Sequence, residues 1–223
     1  MKMSLRNNLF IALILVVSVS CKTESKKTVS SRVASLPFYE DPSFTPKWMD
    51  PKGKEVIGFH SIPDFNFVNQ EGEKVTSKTF DNKIFIADFF FTACPGICPI
   101  MTRNMTTVQE AFKDDSSVSI LSHSVTPKKD SVAQLKKYAL EKGVISGKWH
   151  LVTGDRSEIY NLGRNFYFVD DDLGVKKDED DFLHTENFVL IDKKKHIRGI
   201  YNGLSKNSVQ QLIADIKTLK KEE

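Results

Sequence analysis

The sequence contains little cysteine, no strong excess of either charge, and no apolar run long enough to cross a bilayer. Its three cysteines, Cys21, Cys94 and Cys98, are too few for a scaffold stapled by disulfides. The 32 Lys and Arg residues nearly balance the 29 Asp and Glu residues. Aromatic and basic residues also do not interleave in the way that stacks bases, so we expect no nucleic-acid partner. The 223 residues suffice for one domain with its own core.

The N-terminus has the pattern of an export signal. Residues 9–19 form an apolar run behind the basic Lys2 and Arg6. The run is shorter than the roughly 20 residues that span a bilayer, which is typical of a signal peptide. Cys21 stands where a bacterial lipoprotein is cleaved and lipidated, so we expect residues 1–20 to be a lipoprotein-type signal peptide. The mature protein is then extracytoplasmic, on the periplasmic side of a bacterial membrane, and anchored through a lipid on Cys21.

Residues 21–54 are predicted to connect this anchor to the folded domain. Residues 22–35 are rich in Lys, Ser and Thr and have no hydrophobic period, which is typical of a flexible tether. Residues 37–51 are proline-rich and predict an extended segment. We expect this segment to pack its aromatic side chains on the domain; they are Phe38, Tyr39, Phe44 and Trp48.

Residues 55–223 are predicted to form the folded domain, in which strands and helices alternate. The nearly continuous apolar run 84–91 predicts a central strand that is buried on both faces. Asp130 and Gly143 predict the beginning and the end of a helix. The predicted order is hairpin 65–68/74–76, strand 84–91, helix 99–112, strand 118–122, helix 130–143, strand 149–152, helix 155–165, hairpin 188–191/197–201 and a C-terminal helix. This order indicates an α/β fold with a central mixed sheet, flanking helices and an added β-hairpin.

Residues 91–99, FTACPGICP, follow the predicted central strand and open a predicted helix. In open α/β sheets, sites form at the carboxyl ends of strands, and the amides of a helix N-terminus lower the pKa of a thiol. Residues four apart on a helix have Cβ atoms about 5–6 Å apart, whereas a relaxed disulfide prefers about 3.5–4.5 Å. The spacing of Cys94 and Cys98 therefore favours a metal ion between the sulfurs. It still permits a disulfide if Cys94 stays in the loop.

Thiolate ligands favour Cu(I) or Zn, and zinc usually takes four ligands. Two thiolates with one neutral imidazole carry a charge that supports either oxidation state of copper. Of the five histidines, the pattern leaves His184 and His123 as candidates for that imidazole. His196 lies in a lysine-rich hairpin turn, where we expect it to be exposed.

Several segments between Gly58 and Leu219 together resemble the Sco/SenC family of copper-delivery proteins. Residues 91–99 are similar to the copper loop of that family, in which both cysteines bind metal. Residues 124–130, SVTPKKD, are similar to its Ser-Val-Asp-Pro segment, and residues 149–155, WHLVTGD, to its Trp-x-x-Leu-Thr-Gly segment. Residues 182–185, FLHT, stand where the family has Asp-His-Ser.

The resemblance implies a thioredoxin-like fold and a copper site of three ligands. Cys94, Cys98 and His184 would hold one Cu⁺ or Cu²⁺ ion per domain, which selects His184 over His123. It also implies delivery of copper to the binuclear copper centre of cytochrome c oxidase subunit II. An upstream copper donor or a thioredoxin-like reductant would be a further partner. Thr126 and Leu183 depart from the family pattern, since each stands where the family has Asp.

The expected role is that of a metallochaperone rather than an enzyme. The same cysteines also fit a thiol–disulfide oxidoreductase that reduces the copper-site cysteines of the oxidase. That activity needs both thiols and no histidine. A copper sensor or buffer would use the same three ligands.

Overall fold

The computed structural model describes residues 29–169 and 183–222. The predicted signal peptide and Cys21 therefore lie outside the described residues. The strands are β1 Asn66–Asn69, β2 Lys74–Thr76, β3 Ile84–Phe90, β4 Val118–Ser124, β5 Trp149–Thr153, β6 Asn187–Ile191 and β7 Ile197–Asn202. The α-helices are α1 Cys98–Ala111, α2 Val132–Lys142, α3 Arg156–Asn161 and α4 Lys206–Glu222.

The seven strands form one mixed sheet in the order β2-β1-β5-β4-β3-β6-β7. Strands β3, β4 and β5 are parallel to one another and occupy the middle of the sheet. The two hairpins extend it with antiparallel pairs, β1 beside β5 and β6 beside β3. This topology confirms the predicted mixed α/β sheet with a hairpin added at the edge.

Strand β3 is buried along its whole length, as its apolar run predicts. Its side chains alternate between two apolar clusters, because successive residues of a strand point to opposite faces. Ile84, Ile86 and Phe90 join the cluster that also contains side chains of α1, α2 and α4. Phe85 and Phe89 join the other cluster, on the face covered by α3 and the loops around it. The sheet therefore has a core on each face.

Local sequence signals explain several helix ends. Gly143 ends α2 with a φ of 69°, a left-handed conformation that glycine adopts without strain. Asp155 caps α3 by accepting a hydrogen bond from the Glu158 N–H at 3.0 Å. The prediction that Asp130 caps α2 was wrong: Ser131 is the N-cap, and its hydroxyl accepts from the Gln134 N–H. The Asp130 carboxylate makes tertiary hydrogen bonds instead.

The segment before β1 is held to the sheet by the buried Arg198 of β7. Its guanidinium donates to the carbonyls of Leu36 and Pro37 at 2.6 and 3.1 Å. It also lies over the Phe38 ring at 3.9 Å and pairs with Glu222 at 2.6 Å. Phe38 is buried, as expected for an aromatic residue of this segment. Arg198 thus joins the N-terminal segment to the end of α4.

Two expectations about side-chain exposure were wrong. Trp48 does not pack on the domain, because 61% of its surface is exposed. His196 is buried rather than exposed, since its ring packs edge-on against Phe38 and Phe59 at 5.6 and 6.3 Å. The N-terminal segment covers the hairpin turn that would otherwise expose this histidine.

None of the helices in residues 29–169 and 183–222 has both the length and the apolar character needed to cross a membrane.

Replacing Arg198 with methionine should lower the free energy of unfolding by about 3–5 kcal/mol, because it leaves buried acidic groups without their cation. Asp192, at 3.3 Å from Arg198, and Glu222 are those groups. Urea unfolding followed by circular dichroism measures the change. Lys47→Met is the matched control, since its pair with Glu40 is on the surface and should contribute at most about 1 kcal/mol. Equal effects of the two substitutions would contradict a stabilising role of the Arg198 contacts.

Candidate metal centre

The two thiols lie where β3 ends and α1 begins. The Cys94 N–H donates to the Phe91 carbonyl at 3.3 Å, which turns the chain immediately after the strand. Cys98 is the first residue of α1, and Pro99 follows it at a position where the missing N–H costs no helical hydrogen bond. Cys94 is half-buried and Cys98 is buried. Both are free thiols, and the hydrogen bond between them shows that the structure brings together the cysteines that the sequence predicts as a pair.

The surroundings make the two thiols chemically unequal. Burial raises the pKa of Cys94, but hydrogen bonds from the Cys98 thiol and from the backbone of residues 96–98 outweigh it, so its pKa lies below the ordinary value. Burial, followed by the interaction with Cys94, raises the pKa of the Cys98 thiol. The backbone N–H groups around the start of α1 thus favour a thiolate at the accessible sulfur, whereas burial favours a thiol at Cys98.

The loop that carries Cys94 is held in position by hydrogen bonds to the buried carboxylate of Asp130. Thr92 donates to it through its hydroxyl at 2.6 Å and its N–H at 3.3 Å. Ser124 and Thr126 donate to the same carboxylate at 2.6 and 3.0 Å. Gln134 of α2 then donates to the Thr92 hydroxyl at 3.1 Å. Asp130 therefore links the thiol loop to the end of β4 and the start of α2.

A second buried carboxyl, that of Asp88, lies on the face of the sheet that α1 covers. Burial raises its pKa to about 7, and a hydrogen bond from the Ser122 hydroxyl offsets part of that effect. The Trp149 indole in turn donates to the Ser122 hydroxyl at 2.8 Å. An ionised Asp88 would raise the pKa of Cys98 further. The sequence signal for this residue was a single acid within an otherwise apolar strand.

His123 cannot contribute to the thiol site, although its position at the end of β4 made it a candidate. Its side chain belongs to the apolar cluster on the face of the sheet away from Cys98. The ring stacks on Phe89 at 4.9 Å and packs against Tyr167 at 5.6 Å. Burial lowers the pKa of His123 to about 3, so it is a neutral residue of the core.

His184 is exposed in the loop before β6. The pairing of Val189 with Ala87 directs the chain before β6 toward the carboxyl end of β3, the edge of the sheet that carries the thiols. Among the described residues, however, no three His, Cys, Asp or Glu side chains form a group that could hold a metal ion. The structure therefore gathers the two cysteines and leaves the imidazole of His184 outside their group.

The residues on either side of His184 are buried. Leu183 is within reach of Gly163, where a Cβ atom would lie 2.5 Å from a Leu183 methyl group. Thr185 accepts a hydrogen bond from the Asn187 N–H at 3.1 Å. Burial of the side chain explains why an apolar residue fits at position 183, where the resembled family has Asp. These contacts anchor the loop on both sides of the exposed histidine.

Iodoacetamide should modify Cys94 before Cys98 at neutral pH. Cys94 is more accessible and its pKa is lower, and one unit of pKa changes the thiolate fraction about tenfold. We therefore expect the rate at Cys94 to be at least about tenfold higher. Peptide mass spectrometry over time measures both rates, and the Cys94→Ser variant shows the rate of Cys98 alone. Equal rates in the parent protein would contradict the asymmetry of the pair.

The chain matches known proteins over most of the folded domain. The sequence model of SCO1/SenC covers residues 57–221. The solved structure of a SCO1/SenC family lipoprotein from Bacillus anthracis str. Ames has a TM-score of 0.63 and 29% identity, over 72% of this chain and 95% of that one. BsSco, a Sco-family cytochrome c oxidase assembly protein in which a disulfide switch was identified, has a TM-score of 0.61 and 32% identity, over 73% and 94%.

A third structure was determined with the metal present. ScoI of Bradyrhizobium japonicum, with copper bound, has a TM-score of 0.56 and 25% identity, over 74% of this chain and 99% of that one. The similarity of these structures confirms the predicted thioredoxin-like architecture. The extent of the match to the family model shows that the chain belongs to the SCO1/SenC family.

Proposed function

We propose that this protein binds one copper ion through Cys94, Cys98 and His184 and delivers it to the binuclear copper centre of cytochrome c oxidase subunit II. The observation that carries the proposal is the free thiol pair at the N-terminus of α1, where Cys94 is favoured as a thiolate. Thiolates are the ligands that Cu(I) prefers. The copper-bound relative and the oxidase-assembly relative support the cargo and the destination.

The two sulfurs have different tasks in this proposal. Cys94 is half-buried, so an incoming donor or acceptor can reach its sulfur, and copper can pass through a shared ligand. Cys98 is buried and retains the ion while that exchange takes place. Two thiolates and a neutral imidazole leave Cu(II) neutral overall and Cu(I) with one negative charge. The Asp130 network keeps the loop in place while ligands exchange.

His184 completes the ligand set. Because it forms no metal-holding group with the two cysteines among the described residues, it has to move toward the sulfurs when copper binds. The buried neighbours Leu183 and Thr185 keep the loop attached to the domain, so the movement is restricted to a short stretch of chain. The proposed third ligand is therefore the one that closes over the ion last and leaves first.

The inequality of the thiols favours a second candidate function, thiol–disulfide exchange with the copper-site cysteines of the oxidase. The Cys94 thiolate would attack one sulfur of the partner's disulfide and release the other as a thiolate. Cys98, after losing its proton, would then attack the Cys94 sulfur, freeing the partner's second thiol and leaving a Cys94–Cys98 disulfide. A thioredoxin-like reductant would restore the thiols. The disulfide switch of BsSco supports this alternative.

The site is proposed to act outside the cytoplasm. Residues 1–20 would be removed as a signal peptide, and a lipid on Cys21 would hold residues 21–54 and the domain at 55–223 to the membrane. The lipoprotein from Bacillus anthracis supports this mode of anchoring.

Cys94→Ser and Cys98→Ser should each abolish stoichiometric copper binding by the reduced protein, since a single thiolate leaves too few soft ligands. Titration with Cu(I) under a competing chelator measures the affinity. Cys21→Ser is the control, because it removes a cysteine far from the site in sequence and should leave the affinity unchanged. Retention of one tightly bound copper ion by either site variant would refute the proposed ligands.

His184→Ala should separate copper delivery from thiol exchange. Removing a residue that only hydrogen-bonds to a metal ligand typically weakens metal binding about 10- to 100-fold. Loss of one of the three ligands themselves should weaken copper binding by at least that much. The Cys94–Cys98 disulfide should still form and be reduced, because that chemistry uses sulfur alone. Copper affinity, disulfide turnover and oxidase copper content in cells are the measurements.

The matched control is His123→Leu, which removes an imidazole that has no hydrogen-bond partner among the described residues. It should bind copper normally. If His184→Ala also binds copper and supports oxidase assembly normally, the third ligand is misassigned. Full disulfide turnover in that variant would then place thiol exchange ahead of copper delivery.

A further inference from the structure

The N-terminal segment exposes two large apolar side chains close to the point where it meets the sheet. Trp48 is 61% exposed and Ile57 is 82% exposed. A tryptophan ring has an apolar body and a polar N–H, and it is enriched where one side is apolar and the other is wet, as at a membrane surface. Neither side chain takes part in the thiol site, so the proposed copper chemistry does not account for them.

Both residues are close in the chain to partners of Phe38, which precedes Tyr39, the residue that pairs with Ile197 of β7. Phe38 and Lys47 exchange two backbone hydrogen bonds of 2.9 Å, and Trp48 follows Lys47 directly. On the other side, the Phe59 ring packs against the Phe38 ring at 5.8 Å, two residues after Ile57. We call Trp48 and Ile57 the apolar pair. It lies beside the point where the N-terminal chain enters the domain.

The length of the preceding chain limits how far this point can lie from the proposed anchor. Arg198 fixes the carbonyl of Leu36 to the domain. Residues 22–35 separate Leu36 from Cys21, and this stretch reaches at most about 50 Å when fully extended. An N-terminal anchor therefore keeps the point where the chain enters the domain within about 50 Å of the bilayer, and contact of the surface itself has to fix the orientation.

Lysine side chains border the same surface. A cavity of about 270 Å³ beside Phe38 is lined by Lys52 and Lys194, among others. The two acids of that cavity, Asp192 and Glu222, are paired with Arg198 inside the domain. The exposed lysines at its rim would meet lipid phosphate groups alongside the exposed acids Asp50 and Glu55. The Lys194 ammonium also donates to the Pro51 carbonyl at 3.4 Å.

This surface and the thiols lie at opposite ends of the sheet. The Tyr39 N–H donates to the carbonyl of Ile197, at the start of β7, at 3.1 Å. Ile197 pairs with Ile191, which pairs with Phe85 near the start of β3. The thiol loop leaves β3 at its other end, and a strand of this length spans about 20 Å. A domain resting on the apolar pair therefore directs its thiols away from the bilayer.

We propose that the apolar pair, with Lys52 and Lys194, forms a membrane-contact face that docks the domain on the outer surface of the bilayer holding its N-terminus. The tryptophan ring enters the headgroup region, and the lysines lie among the lipid phosphates. Docking fixes the orientation of the domain, so the thiols face extracytoplasmic partners. The proposal requires an N-terminal anchor but does not depend on copper as the cargo.

Tryptophan fluorescence of the full chain, reconstituted through its N-terminus in vesicles of phosphatidylcholine and phosphatidylglycerol, tests this face. Lipids with brominated acyl chains quench indoles that reach the bilayer. The only other tryptophan, Trp149, is buried in the core, so quenching reports on Trp48. We expect Trp48 to be quenched, and Trp48→Phe to lose that signal. Lys52→Glu combined with Lys194→Glu should reduce it.

The matched control moves the indole to the thiol end of the molecule. Ile100 lies in the first turn of α1 and is 38% exposed. In the Trp48→Phe background, Ile100→Trp should show no quenching. Equal quenching at both positions, or none at Trp48, would overturn the proposal. An unquenched Trp48 whose replacement by alanine lowers oxidase copper content would overturn it too, because the face would then contact a protein partner.

Discussion

Burial of β3 on both faces is the constraint on which the rest of the structure depends. Seven consecutive residues of this strand are inaccessible to water, and each face needs its own cover of apolar side chains. Helices α1, α2 and α4 supply one cover, and α3 with its neighbouring loops supplies the other. The strand therefore lies in the middle of the sheet, and its end is the place where a loop can emerge with reactive groups. This geometry explains why Cys94 and Cys98 lie directly after the end of β3.

The two buried carboxyl groups near the thiols, Asp130 and Asp88, differ in the number of hydrogen bonds that they accept. This difference corresponds to a difference in role. Asp130 accepts from three side-chain hydroxyls and one N–H, so it serves as a fixed anchor for the thiol loop. Asp88 accepts from Ser122, and its pKa is raised by burial. One acid therefore stabilises the position of the loop, whereas the other contributes to the electrostatic environment of Cys98.

The N-terminal segment and the thiols lie at opposite ends of the sheet. The proposed copper transfer and the proposed membrane contact both depend on this arrangement. The N-terminal segment is clasped by Arg198 at one end of the sheet, and the thiols emerge at the other. The proposed lipid-anchored carrier would benefit from this arrangement, because a tether alone would let the thiols point in any direction. A docked face restricts that freedom before a partner arrives, which reduces the entropy lost on binding. Of the two sulfurs, that of Cys94 is then the one that a partner can reach.

Much of the fold and two of the three proposed ligands were determined by sequence patterns that act over short distances. The apolar run of β3, Gly143 at the end of α2 and the cysteine pair at the start of α1 each carry a local signal that their neighbours do not override. His184 was selected by family resemblance, and its role as a ligand stays a prediction.

Only the tertiary structure decided the use of Asp130, the burial of His123 and His196, and the exposure of Trp48. The local sequence around Asp130 predicts a helix cap, but its carboxylate accepts a hydrogen bond from Thr92, which is 38 residues away. His123 points into the far face of the sheet because the strand alternates, and His196 is covered by a segment from the other end of the chain. These outcomes depend on contacts between distant residues, and the period of the local sequence carries no information about them.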